Sequence, residues 1–184
     1  MVDRLVQDHT GLLVIDAQER LIGAMPGKAS KRSVESMTRL ISGARVLGLP
    51  ILISEQYPKG LGPTDPSLVS ASDGAPVLEK TAFSCWQDEA IQAAIKETGR
   101  TTWLICGMET HVCVYQTARD LVSANLGAQV IADGCLSRTK MNFRGGLDLC
   151  RSAGAEISNV ESALFDLIGG KEHSDFREIS RLLR

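Results

Sequence analysis

Short aliphatic runs alternate along this chain with longer stretches in which apolar residues recur every three or four positions. Leu12-Leu13-Val14-Ile15 is four aliphatic residues in a row, the length of a buried strand. Across residues 30–47, Val34, Met37, Leu40, Ile41, Ala44 and Leu47 keep helical spacing; Gly48 stops that helix, and residues 50–53 read as the next strand. Residues 75–78 form a weaker run. Ser84 with Gln87 three residues on reads as a capping box for a helix over 85–97, ended by Gly99. Residues 102–106 are another buried run, followed by a helix from about His111 to Asn125 with Val114, Ala118, Leu121 and Val122 on one face. Two further strands at 128–132 and 155–157 enclose a helix, and helices near 160–168 and 174–183 follow.

Strand and helix alternating through about six cycles predict crossover connections, hence an α/β fold with a mostly parallel sheet covered on both faces. Ligands in such sheets lie beyond the carboxyl ends of the strands. Polar residues immediately after each aliphatic run are therefore the place to look for chemistry.

Composition narrows the picture. The 184 residues suit one domain, 1–184, and a chain this long buries roughly 70% of its unfolded surface without staples. Hydrophobic residues make up 43% and charged residues 23%, with a formal net charge of −2. That balance excludes the broad basic field of a dedicated nucleic-acid binder. The N-terminal residues contain no apolar stretch long enough for a signal peptide or membrane span, which favours the cytoplasm. Five cysteines without CxxC spacing fit a reducing compartment better than a disulfide framework. The three histidines, His9, His111 and His173, show no ligand spacing, so neither a metal nor another cofactor is expected.

Three positions stand out. Asp16 directly follows the first run, where partial desolvation suits a carboxylate to act as a base; a helix cap or turn residue is the plainer reading. Lys80 ends the third run and is either a solvated charge or a cation that steadies a thiolate. Cys113 lies between a strand and a helix. With Thr110 as N-cap it occupies N3, where free backbone N–H groups and the helix dipole lower a thiol's proton affinity; otherwise it is a small packing residue.

The segments LLVIDAQERL (12–21), LEKTAFSCW (78–86), CGMETHVCVYQTARDL (106–121) and DGCLSRTK (133–140), in this order and spacing, resemble the isochorismatase-like cysteine hydrolases. With SEQYPKGLG (54–62), the chain is most similar to the short stand-alone isochorismatase-domain proteins of that family. The resemblance implies a three-layer α/β/α sandwich with six strands in the order 3-2-1-4-5-6, an Asp16-Lys80-Cys113 triad, and a cis peptide between Met108 and Glu109. It also implies an oxyanion hole from the backbone N–H groups of Glu109 and Cys113. It points to a small-molecule substrate, cleavage of a small amide through a thioester, and a homo-oligomer.

Nicotinamidases of this family carry a metal site after the second strand; here Ser54-Glu55-Gln56-Tyr57-Pro58-Lys59 contains no histidine, which disfavours nicotinamide as substrate. Tyr57, Phe83 and Trp86 line a pocket or pack structurally. Gln18 orients Asp16 or faces solvent, and Arg138 is a candidate anchor for an anionic substrate. Two alternatives stay open: a vinyl-ether hydrolase and a scaffold that retains an idle triad. A nucleotide-binding Rossmann protein is third, but Asp16-Ala17-Gln18-Glu19 stands where its glycine fingerprint belongs.

Overall fold

A computed structural model describes residues 4–184; residues 1–3, part of the segment read above as lacking a leader, lie outside that description. Six strands form one sheet: β1 (Thr10–Ile15), β2 (Ile51–Gln56), β3 (Val77–Lys80), β4 (Thr102–Met108), β5 (Gly127–Leu136) and β6 (Glu156–Ser158). Their order is β3-β2-β1-β4-β5-β6 and every neighbouring pair is parallel.

The central strand explains why its sequence shows no alternation. All six residues of β1 are buried. Leu12 and Val14 pack against Met37, Leu40 and Ile41 of α2 (Gly27–Val46) on one face. Leu13 and Ile15 join Trp103 and Ile105 on the other, with Ile91 of α5 (Glu89–Glu97) and Leu121 of α6 (Tyr115–Ser123). A strand covered on both sides needs an apolar residue at every position. The remaining longer helices, α7 (Lys140–Ser152) and α8 (Val160–Ile168), complete the outer layers with the short α9 (Phe176–Leu182). Among the described residues no helix is long and apolar enough to cross a membrane.

Several boundaries differ from the sequence reading. Three short helices, α1 (Glu19–Gly23), α3 (Pro58–Leu61) and α4 (Pro66–Ser72), occupy segments without a strong apolar period. Ser84 caps only a single 3-10 turn, Cys85–Gln87, through Trp86 N–H. The cap of α5 is Asp88, which accepts from the N–H groups of Ala90 and Ile91. Strand β5 runs on to Leu136, past a register shift opposite Ile105–Gly107, and so carries residues 133–136 along β4 rather than into a loop.

Gly107 marks where β4 closes on β1. Its φ is +120°, and a Cβ there would lie 1.9 Å from the carbonyl oxygen of Ile15. Only glycine permits this approach, which sets the end of β4 beside the residue that follows β1.

Candidate active site

Asp16, Lys80 and the turn carrying Cys113 meet at the carboxyl end of the sheet. Asp16 leaves β1 with φ +48°, in the left-handed region that aspartate tolerates better than most residues. Lys80 is the last residue of β3, one strand further out than β2, and its Nζ reaches across to donate to Asp16 Oδ2 at 2.7 Å. Both side chains are fully buried. Strand β2 supplies the ground between them: Ser54 Oγ donates to Asp16 Oδ1 at 2.7 Å, and Gln56 Oε1 accepts from Lys80 Nζ at 2.9 Å.

Lys80 Nζ also has the carbonyl oxygens of Phe83 and Ala82 at 3.1 and 3.2 Å. Four acceptors surround an ammonium with three protons, so none is left for a substrate. Burial pushes the Lys80 ammonium down in proton affinity, but the Asp16 carboxylate pulls it back above the ordinary lysine value. Lys80 therefore stays a fixed cation. Burial raises the Asp16 carboxyl above the usual carboxylate range, against the opposing pull of Lys80 and Ser54.

The turn after β4 departs from the sequence reading. Residues Thr110–Val114 form one turn of π-helix before α6, with Glu109 at its cap position. The carbonyl of Glu109 accepts from both Val112 N–H and Val114 N–H, at 3.0 and 3.3 Å. Thr110 makes no capping bond, and its hydroxyl is buried without a partner, so Cys113 is not the N3 residue of an α-helix capped by Thr110. The thiol is raised, not lowered: burial comes first, the Asp16 charge second, and Lys80 only partly offsets them. At rest the nearby Asp16 charge and burial both favour the protonated form of Cys113. The peptide joining Met108 to Glu109 is cis.

Helix α7 braces this turn from behind. A Cβ on Gly146 would lie 2.7 Å from the backbone N of His111, so glycine alone lets the helix pack directly on the turn's backbone. A second thiol, Cys85, is fully buried beside the same charges and is pushed up to about 11, by burial first and then by Asp16. Its backbone N–H donates to Thr117 Oγ1 at 2.9 Å.

The other residues singled out from the sequence have mixed placements. Gln18 is fully buried, and its side-chain hydrogen bonds do not go to the Asp16 carboxylate. Its amide instead clasps the backbone of Gln56, donating to its C=O at 3.1 Å and accepting from its N–H at 2.8 Å, and donates to Gly62 O at 2.7 Å. Tyr57 and Phe83 are more than half exposed at the rim near Lys80. Tyr57 lines a small cavity of about 240 Å³ with Lys59, Lys80, Thr81 and Asp88. Trp86 lies under Lys96, whose Nζ is 5.3 Å from the ring centre. Arg138 is committed to Glu109: its Nε lies 3.1 and 3.2 Å from the two carboxylate oxygens and its backbone N–H 3.0 Å from one. Its nearest anion is thus supplied by the protein.

Ser54 and Gln56 were missed by sequence reasoning. The available signal was the spacing of Ser54 and Gln56, two apart in the polar end Ser54-Glu55-Gln56 of β2, which places both on one face. A wider groove of about 750 Å³, lined among others by Arg45, Asp73 and Pro76, lies at the opposite end of the sheet and touches none of the triad. Among the described residues, no three His, Cys, Asp or Glu side chains converge as metal ligands.

Comparison with known proteins identifies the family and the fold. The family model for the Isochorismatase domain matches residues 10–162. Isochorismatase domain-containing protein 1 of Salmo salar is 36% identical over 184 residues, covering all of this chain and 64% of that protein, so this chain spans less than two thirds of that relative. Isochorismatase domain-containing protein 2 of Bos taurus is 33% identical over 98% of this chain and 86% of its own length. Among solved structures, the MAR1 ribonuclease of Caenorhabditis elegans superposes with a TM-score of 0.92 at 31% identity, covering 98% of this chain and 92% of the other. The YcaC gene product of Escherichia coli, an octameric hydrolase of unknown specificity, shares the fold with a TM-score of 0.86 at 22% identity, covering 100% of this chain and 88% of the other. The chain belongs to the isochorismatase-domain family.

Proposed function

We propose that this chain is a cysteine hydrolase that cleaves the C–N bond of a small amide through a thioester on Cys113. One observation carries the reading: the turn bearing Cys113 stands beside a fully buried Asp16–Lys80 ion pair 2.7 Å long, which sets a base and a cation next to the sulfur. Asp16 takes the thiol proton as the sulfur attacks the carbonyl carbon. Lys80 keeps the site's net charge near neutral while sulfur carries negative charge. The oxyanion lies against the backbone N–H groups of Glu109 and Cys113. Collapse expels the amine, which leaves with the proton from Asp16. Water, giving its proton to Asp16, attacks the thioester; the acid is released and the proton returns to the thiol. Arg138 holds the Glu109 carboxylate in place rather than anchoring a substrate. The site needs no cofactor for this sequence of steps, and we place the enzyme in the cytoplasm as a homo-oligomer.

Phosphodiester cleavage is the second reading, favoured by the ribonuclease name of the 31%-identical structure. A formal net charge of −2 supplies no broad attraction for RNA. Purified protein tested against a panel of small amides, isochorismate and RNA separates amide, vinyl-ether and nucleic-acid chemistry. Release of ammonia or amine, lost in Cys113→Ala with the fold intact by circular dichroism, is the expected result. Turnover retained in Cys113→Ala removes the covalent mechanism.

A further inference from the structure

We propose that Gln56 is a positioning residue whose amide oxygen pins the Lys80 ammonium against Asp16 and thereby sets how readily Cys113 gives up its proton. The proposal rests on reading Asp16, Lys80 and Cys113 as a triad. Of the four oxygens around Lys80 Nζ, one belongs to the base itself and two are backbone carbonyls of Ala82 and Phe83. Gln56 Oε1 is the fourth, and the one side-chain acceptor besides Asp16.

The orientation of that amide is determined by its partners. Gln56 Nε2 donates to Thr81 O at 2.9 Å, which leaves Oε1 to face Nζ. The backbone of Gln56 is held on both sides by the Gln18 side chain, through its N–H at 2.8 Å and its C=O at 3.1 Å. Gln18 is fully buried and follows Asp16 by two residues. The segment after β1 therefore supplies both the base and the clamp that aligns the base's cation. Gln56 also ties β2 to residues 81–83, the backbone that completes the ammonium's cage.

The charged and titratable groups around this cluster are Asp16 after β1, Lys80 on β3, Cys85 on the 3-10 turn and Cys113 on the π-turn, with Tyr57, Lys59, Glu79 and Asp88 lining the small cavity beside Lys80. A neutral amide in this ring solvates the ammonium without competing for it as a charge. A carboxylate at the same place shares the ammonium with Asp16 and adds a negative charge near the sulfur. Both changes favour the protonated thiol.

The test uses iodoacetamide, which alkylates the thiolate, with the rate at Cys113 followed by peptide mass mapping across pH on the full chain. Gln56→Glu is expected to move the Cys113 profile upward by about one pH unit, about tenfold slower at fixed pH below the transition. Gln56→Met, which lacks the acceptor but adds no charge, is expected to move it the same way by about half a unit, about threefold. A purely structural role for Gln56 lowers the melting temperature and leaves the profile in place; wild-type profiles in both variants overturn the proposal. If Gln56→Glu does not fold, Gln56→Met decides. Failure of the triad reading has a separate signature: wild-type Cys113 then shows no titration of its own, whatever residue stands at 56.

Discussion

Two ion pairs of nearly equal length sit at opposite ends of the sheet and do different work. At the carboxyl end, Lys80 and Asp16 are 2.7 Å apart with both side chains fully buried. At the amino end, Arg45 at the end of α2 and Asp73 after α4 are 2.6 Å apart with side chains 43% and 71% exposed. Water screens the exposed pair, and such pairs contribute about 0–1 kcal/mol. The buried pair gives up the hydration of two ions, so its geometry adds little net stability, yet removing one partner strands a charge. Distance alone does not rank these interactions; solvent does. The buried pair is suited to chemistry because the protein, not water, determines where its charges and protons reside.

The sharpest way to break this contrast is to remove one buried charge. Lys80→Met is expected to cost about 3–5 kcal/mol in urea unfolding and to abolish turnover. The double variant Asp16→Leu with Lys80→Met is expected to recover much of that stability while staying inactive. A single variant as stable as wild type would contradict burial of the pair.

A smaller effect comes from pH. The Lys80 ammonium is held above its ordinary value of 10.5, so the stability it confers is complete below pH 10.5. That stability is lost as pH rises through the higher folded-state value. Chemical unfolding followed from pH 9 to 11.5 should show a decline in wild type that is much weaker in the double variant. The smallest effect is expected at the exposed pair. Arg45→Ala should change stability by at most about 1 kcal/mol, and the difference should shrink as the Debye length falls from about 10 Å to about 3 Å between 0.1 and 1 M salt.

How far the site could be read from sequence followed from how local each signal was. The run from Leu12 to Ile15 announced a strand buried on both faces, and position after such runs singled out Asp16 and Lys80. Cys113 stood out by its place between strand and helix, but the environment of its thiol was misread. Helix position predicts a lowered thiol only when the site is hydrated or cationic, whereas here burial and Asp16 act first. Arg138 looked free because nothing in its own segment names Glu109 as its partner, 29 residues away. Helices α1, α3 and α4 escaped notice because no wide apolar stripe marks them. Contacts hold that region instead: Glu55 Oε1 accepts from the N–H and hydroxyl of Thr64, and Gln18 donates to Gly62.

By itself the sequence determined the alternation of strands and helices, the parallel sheet, the family, and the three candidate residues, Asp16, Lys80 and Cys113, that meet at one end of the sheet. These are written in local apolar period and in short motifs, which any window of the chain can reveal. Tertiary structure alone decided that Ser54 and Gln56 stand between Asp16 and Lys80, that the Gln18 side chain holds the backbone of Gln56, and that burial raises rather than lowers the proton affinity of the Cys113 thiol. Each of those depends on solvent exclusion and on side chains from separate strands meeting at one edge, and the energy of a charge is set by such surroundings rather than by its neighbours along the chain.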